Sequence, residues 1–211
     1  MRSTVVRKLA MAITGLVLVG FVLVHAAANL QIFAGPDRID GYARGLRAAP
    51  VLLWTVRAGL ATAFLIHVWL GVGLARDNRV ARPVRYHRRP SAPLDRAGRT
   101  MLWSGLFVGL FVLLHLSNLT WGTLHPRFVH LQVYRNVTTL LRMPAWGCFY
   151  LAALVALAAH MVHGTRSLFR STGLAAAPNR GRVAHLSVVV TALAVTGLGA
   201  VVLGVMTGFL R

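Results

Sequence analysis

LAMAITGLVLVGFVLVHAAANLQIF, running from Leu9 to Phe33, decides the fold. These 25 residues contain no Asp, Glu, Lys or Arg. An α-helix needs roughly 20 apolar residues to cross a bilayer's hydrocarbon core. One ionisable side chain interrupts the run, His25. Arg2, Arg7 and Lys8 precede it and Ala26, Ala27 and Ala28 lie near its end, the outline of a secretory leader. Its apolar stretch is longer than the usual leader core of about 7–15 residues, so a retained helix is expected.

Four more such runs follow, at about 51–75, 100–121, 144–169 and 183–210. Pro50 and Pro144 stand at helix-start positions. The expected fold is therefore all-α, a single transmembrane domain over 1–211 built on five helices. Composition agrees. Apolar residues make up 56% of the 211 and charged ones 13%, with a mean hydropathy of +0.64. A soluble domain carries about a quarter charged residues. There is no Glu, and Asp37, Asp40, Asp77 and Asp95 all fall in predicted loops.

The net charge of +19 would suggest nucleic acid in a soluble protein. Here the basic residues lie between apolar runs, where they report topology, and no nucleic-acid partner is expected. Fifteen of the 23 Lys and Arg fall in residues 1–8, 76–99 and 166–182. Seven fall in 34–50, 122–143 and the C-terminus, and Arg57 lies within the second run. The positive-inside rule then makes the N-terminus cytoplasmic and the chain a multi-pass protein of the cell membrane. The single cysteine, Cys148, excludes an internal disulfide and a cluster held by four of this chain's thiolates. It reads as a small apolar helix residue.

Ionisable residues at hydrocarbon depth are costly and need a reason. His25, His67, His115 and the His160/His163 pair lie on four different predicted helices. At about 1.5 Å per residue, His25 and His115 share an outer level, roughly 21–24 Å from the cytoplasmic ends of their helices. His67 and His160 share an inner level, roughly 14–15 Å from that side. Two pairs at two depths are what two bis-histidine haems require, since neutral imidazole is a good iron ligand. A single membrane histidine is commonly only a polar contact between helices. Gly15, Gly20, Gly71, Gly73, Gly105 and Gly109 either admit a flat macrocycle or mark close helix contacts. His163 is one turn nearer the cytoplasm, and His160 matches the depth of His67 better. His87, His125, His130 and His185 lie in predicted loops or at a helix end and read as solvated.

Several stretches together carry a family likeness. They are KLAMAITGLVLVGFVLVHAAANLQIFAGPDRIDGYARGLR at Lys8–Arg47, RVARPVRY at Arg79–Tyr86, GRTMLWSGL at Gly98–Leu106 and HMVHGTRSLFRSTGL at His160–Leu174. The chain resembles, along most of its length, the cytochrome b membrane anchor of succinate dehydrogenases and fumarate reductases in its single-chain, five-helix, dihaem form. The resemblance implies two haems b, one on His25 and His115 and one on His67 and His160. Relatives differ over whether the helix IV ligand aligns with His160 or His163. It also implies an iron–sulfur subunit and a flavoprotein subunit as partners, with electrons passing to a quinone, for which menaquinone is expected. Succinate chemistry of the tricarboxylic acid cycle would then occur outside this chain, which keeps at most a quinone-reducing site. Some fumarate reductases of this form use intramembrane glutamates, and a chain without Glu offers none.

Quinone or propionate candidates at the outer end are Asn29, Gln31, Arg57, Asn118 and Trp121, and at the inner end Ser3, Lys8, Trp69, Arg76 and Arg166. Interfacial snorkelling explains several of these equally well. The arginine-rich loop 76–99 is either a topology signal with affinity for anionic lipid or a docking surface for the iron–sulfur subunit. Two other readings stay open: a haem anchor of another quinone-linked complex, and a haem-free membrane protein with structural histidines.

Overall fold

The computed structural model describes residues 4–80, 93–171, 173 and 179–211, with the backbone alone at 4 and 93–99. Ser3, His87 and the arginines Arg82, Arg85 and Arg88 lie outside the described residues. The described chain is helical, without strands: α1 (Thr4–Asn29), a 3-10 turn (Leu30–Ala34), α2 (Pro36–Arg47), α3 (Pro50–Val80), α4 (Pro93–Leu119), α5 (Val133–Leu141), α6 (Pro144–Ser171) and α7 (Arg180–Met206). Five segments are long and apolar enough to cross a membrane: Val5–Ala34, Pro50–Val80, Thr100–Leu119, Pro144–Ser171 and Arg180–Met206. They match the five predicted helices. The last stops at Met206 rather than near 210, where Gly208 takes φ +79° and the Leu210 N–H donates back to the Gly204 carbonyl at 2.8 Å. Glycine is the residue that adopts this left-handed conformation without a Cβ penalty.

Four helices form a ring. α1 packs on α3 and α6, and α4 packs on α6, while α3 and α4 touch lightly. α1 and α4 share no packed face, nor do α3 and α6, so each of these pairs is diagonal. α7 lies in the groove between α1 and α6. Its buried seam, Val183, Ser187, Thr191, Ala194, Gly197, Val201 and Val205, steps by three and four residues. Small residues on such a seam bring helices close where lipid offers no hydrophobic drive. A Cβ on Gly197 would stand 3.6 Å from that of Ala26 on α1.

The tightest packing lies at the end away from the chain start, called outer below. Ile32, Leu140, Leu141 and Val205 are almost wholly buried there. Two short helices, α2 and α5, cap this end, and the hydropathy pattern does not foretell them. α2 (PDRIDGYARGLR) is too polar and α5 too short to register as spans. They pack on each other and are tied by polar contacts. Asp40 of α2 accepts from the Tyr134 N–H in the first turn of α5 at 2.9 Å. No side chain of the local N-cap Gln132 does this. Asp40→Ala is therefore expected to cost about 1 kcal/mol, as a lost N-cap does. A lowered thermal midpoint of the detergent-solubilised protein would report it.

His125 corrects an expectation. It is buried rather than solvated, with Nε2 2.9 Å from the Asn136 carbonyl and Nδ1 accepting from the Arg127 N–H at 3.0 Å. Asn136 also clamps Val129 through both amide atoms. Burial at a folded cap, with both ring nitrogens satisfied, outweighs the polarity of the surrounding loop. His130 and His185 are exposed as expected, and His130 meets Arg47 of α2. At the other end Arg7 of α1 pairs with Asp77 of α3.

Candidate functional site

The histidines meet in two pairs inside the ring. His25 of α1 and His115 of α4 have ring centroids 5.8 Å apart, with planes at 85°. His67 of α3 and His160 of α6 have centroids 6.1 Å apart, with planes at 69°. Each pair joins two diagonal helices across the bundle axis. His67 sits against Thr14 and Gly15, ten or eleven residues before His25 on α1. The two levels are thus about 15 Å apart along that helix.

Two imidazoles facing each other at two heights could each hold a metal ion between them. Ring nitrogens at about 2 Å on either side of an ion bring the ring centroids to about 6 Å. The observed spacings match this. Among the described residues no three His, Cys, Asp or Glu side chains cluster as metal ligands. Two protein ligands per level suit a macrocycle that supplies the remaining donors, and do not suit a bare tetrahedral ion.

Hydroxyls stand beside the inner rings. Thr14 Oγ1 donates to the Ala10 carbonyl at 2.9 Å and lies 3.2 Å from His67 Nδ1. With the hydroxyl proton on a backbone carbonyl the imidazole would donate in the second contact, and the Met11 carbonyl is another acceptor for the same ring. Ser104 Oγ donates to the Met101 carbonyl at 3.1 Å and stands 3.5 Å from His160 Nδ1. A neutral ring protonated at Nδ1 presents a bare Nε2, the form that ligates a metal. At the outer level Tyr150 Oη lies 3.3 Å from His115 Nδ1. Phe21 stacks on His25 with centroids 5.3 Å apart, and Phe111 lies 5.5 Å from His115. Thr14, Ser104, Tyr150 and the two phenylalanines escape a reading that searches for histidines and charged side chains.

Asn118, one turn beyond His115, is completely buried, and among the described residues neither its Nδ2 nor its Oδ1 has a hydrogen-bond partner. Leaving such a group unsatisfied costs about 1–3 kcal/mol. A polar group of a bound cofactor or quinone at the outer level would remove that cost. The other candidates are less concentrated than expected. The Asn29 amide donates to the His25 carbonyl at 2.8 Å and is engaged on its own helix. Arg57 is half-buried and lies over Trp54, 5.1 Å from the ring centroid. Gln31 is half-buried, while Trp121, Trp69, Lys8 and Arg76 are exposed. Arg166 faces α7, lining a cavity of about 460 Å³ with Arg170, Arg180, Val183 and Ala184. Six residues beyond His160, it is turned by about 240° from that side chain. His163 is half-buried on α6.

The glycines sort by what they admit. A Cβ on Gly15 would stand 3.3 Å from His67 Cε1, and one on Gly105 3.0 Å from His160 Cε1. Gly71 accommodates Met11 and Gly73 accommodates Arg7, whereas Gly20 has nothing within 4 Å and Gly109 meets only Phe64, at 3.9 Å. Gly15 and Gly105 therefore receive imidazoles. Comparison with family models, curated proteins and solved structures finds no match to this chain.

Proposed function

We propose that the chain is the membrane anchor and cytochrome b subunit of a succinate:quinone oxidoreductase, inserted in the cell membrane with its N-terminus cytoplasmic. The observation that carries this is the meeting of four histidines from four helices as two facing pairs, at two levels of one bundle. Haem b at each level would supply a one-electron carrier. His25 and His115 would hold the outer haem, His67 and His160 the inner one. Asn118 would offer an amide to an outer propionate or quinone oxygen. Electrons would enter from an iron–sulfur subunit at the cytoplasmic end, fed by a flavoprotein, and leave to menaquinone. The quinone-reducing step would take its protons through water or loop side chains, because the chain has no Glu. Lipid would contact the many apolar side chains exposed on the helices.

Succinate is the first test. Adding it to membranes that contain the complex is expected to reduce b-type haem, and mild-detergent purification through this chain is expected to bring down a flavoprotein and an iron–sulfur protein. Copurification of a hydrogenase or formate dehydrogenase instead would assign the anchor to another quinone-linked complex. Reversing charge at Arg82, Arg85 and Arg88 together is expected to release the soluble subunits from the membrane. Attachment that survives the reversal would place docking elsewhere.

A further inference from the structure

α1 and α4 carry one pattern, ninety residues apart. Met11, Thr14, Gly15, Phe21 and His25 correspond to Met101, Ser104, Gly105, Phe111 and His115. α3 and α6 carry a second, ninety-three residues apart, in which His67 and Gly71 correspond to His160 and Gly164. The contacts repeat as well as the letters. Met11 Cε lies 3.3 Å from where Gly71 would carry a Cβ, and Met101 Cε 3.7 Å from the same point on Gly164. Gly15 receives His67 and Gly105 receives His160. The Thr14 and Ser104 hydroxyls each lie 3.1 Å from their own Met carbonyl and reach the Nδ1 of the histidine they face. Phe21 and Phe111 each lie on the histidine one turn onward.

The bundle thus consists of two like halves, α1 with α3 and α4 with α6, related by a pseudo-twofold axis along the bundle. Parallel repeats of this kind are a known way to build membrane bundles. Diagonal helices are the equivalent ones, so the axis passes between His25 and His115 and again between His67 and His160. A planar cofactor held on the axis meets the same residue from both faces. The match is incomplete: α1 packs closely on α6 where the equivalent α4 and α3 touch lightly, Asn118 and His163 correspond to Ala28 and Leu70, and the equivalent of Tyr150 is Arg57, which lies over Trp54 instead of bonding His25.

We propose that Thr14 and Ser104 are a matched pair of positioning residues, each accepting the Nδ1–H of one inner histidine and so aiming its Nε2 at the bundle axis. This rests on the haem reading given above. A hydrogen bond donated from the far ring nitrogen raises the basicity of a metal-ligating imidazole. Stronger donation favours the oxidised, more positive iron, so its loss raises the midpoint potential.

Redox titration of the purified complex, followed at the b-haem absorption, tests the pair. Thr14→Val and Ser104→Ala are each expected to raise the potential of the inner haem by similar amounts, with the outer haem unmoved. Thr14→Ser and Ser104→Thr keep a hydroxyl and are expected to keep wild-type potentials. Loss of the inner haem in both Thr14→Val and Ser104→Ala, with retention in the hydroxyl-keeping variants, counts the same way. Unmoved potentials, a shift confined to one of the two sites, or a shift of the outer haem instead would overturn the positioning role while leaving the dihaem assignment intact. A wild-type complex without b-type absorption would overturn that assignment and this role with it.

Discussion

His160→Ala is expected to halve the bound haem, from two per chain to one, whereas His163→Ala is expected to leave both. The two residues lie within one turn of each other on α6 and are indistinguishable by residue type, but the fold separates them. The His160 ring faces His67 across the bundle at 6.1 Å and rests on Ser104 and Gly105 of α4. His163, three residues on, is rotated by about 60° and displaced by about 4.5 Å along the helix. A haem held between His67 and His160 would lose one of its two protein attachments with His160, so the expected effect is on occupancy and not merely on potential. Pyridine haemochrome analysis against protein concentration reads it directly. Loss of haem in His163→Ala alone would reverse the ligand assignment on this helix.

The second large effect comes from a glycine. Gly105→Val is expected to remove the inner haem and spare the outer one. Even the first carbon of a side chain at this position would stand 3.0 Å from His160 Cε1, and two further methyl groups must displace the ring. Overpacking of this kind typically costs about 1–3 kcal/mol when the surroundings yield. On the haem reading the yielding group would be a ligand, so the cost would fall on the metal site. Gly15→Val should act likewise through His67, since its Cβ contact is 3.3 Å. Gly20→Ala, on the same face of the problem but with nothing within 4 Å, is the control and is expected to retain both haems. Loss of haem in the control, or full occupancy in Gly105→Val, would remove the glycine from the site.

The five long helices are legible because hydrocarbon length is a strong constraint and each run satisfies it without help from tertiary structure. The pairing of His25 with His115 and of His67 with His160 is legible for a related reason. Rise per residue converts sequence position into depth, and diagonal helices running the same way place equal depths opposite each other. What hydropathy does not carry is the outer cap. α2 and α5 are held by Asp40, Asn136 and His125, through contacts between residues as far apart in sequence as Asp40 and Tyr134. The polarity that makes His125 look solvated is used inside that cap. Arg166 illustrates the opposite failure. Its position near the inner end suggests a role beside His160, yet helical rotation turns it to α7. The supporting hydroxyls were in reach all along, since Thr14 and Ser104 each precede a glycine and stand eleven residues before a histidine. Comparing the first and third spans with each other, rather than with a list of ionisable residues, exposes them.

If two facing histidine pairs hold two haems b, a reduced-minus-oxidised spectrum of the purified chain, read with its haem-to-protein ratio, will show them. Two b-type haems per chain are expected, one of them lost in each of His25→Ala and His67→Ala and both lost in the double variant. A spectrum with no b-type absorption from a folded, membrane-inserted protein would contradict the account at its root.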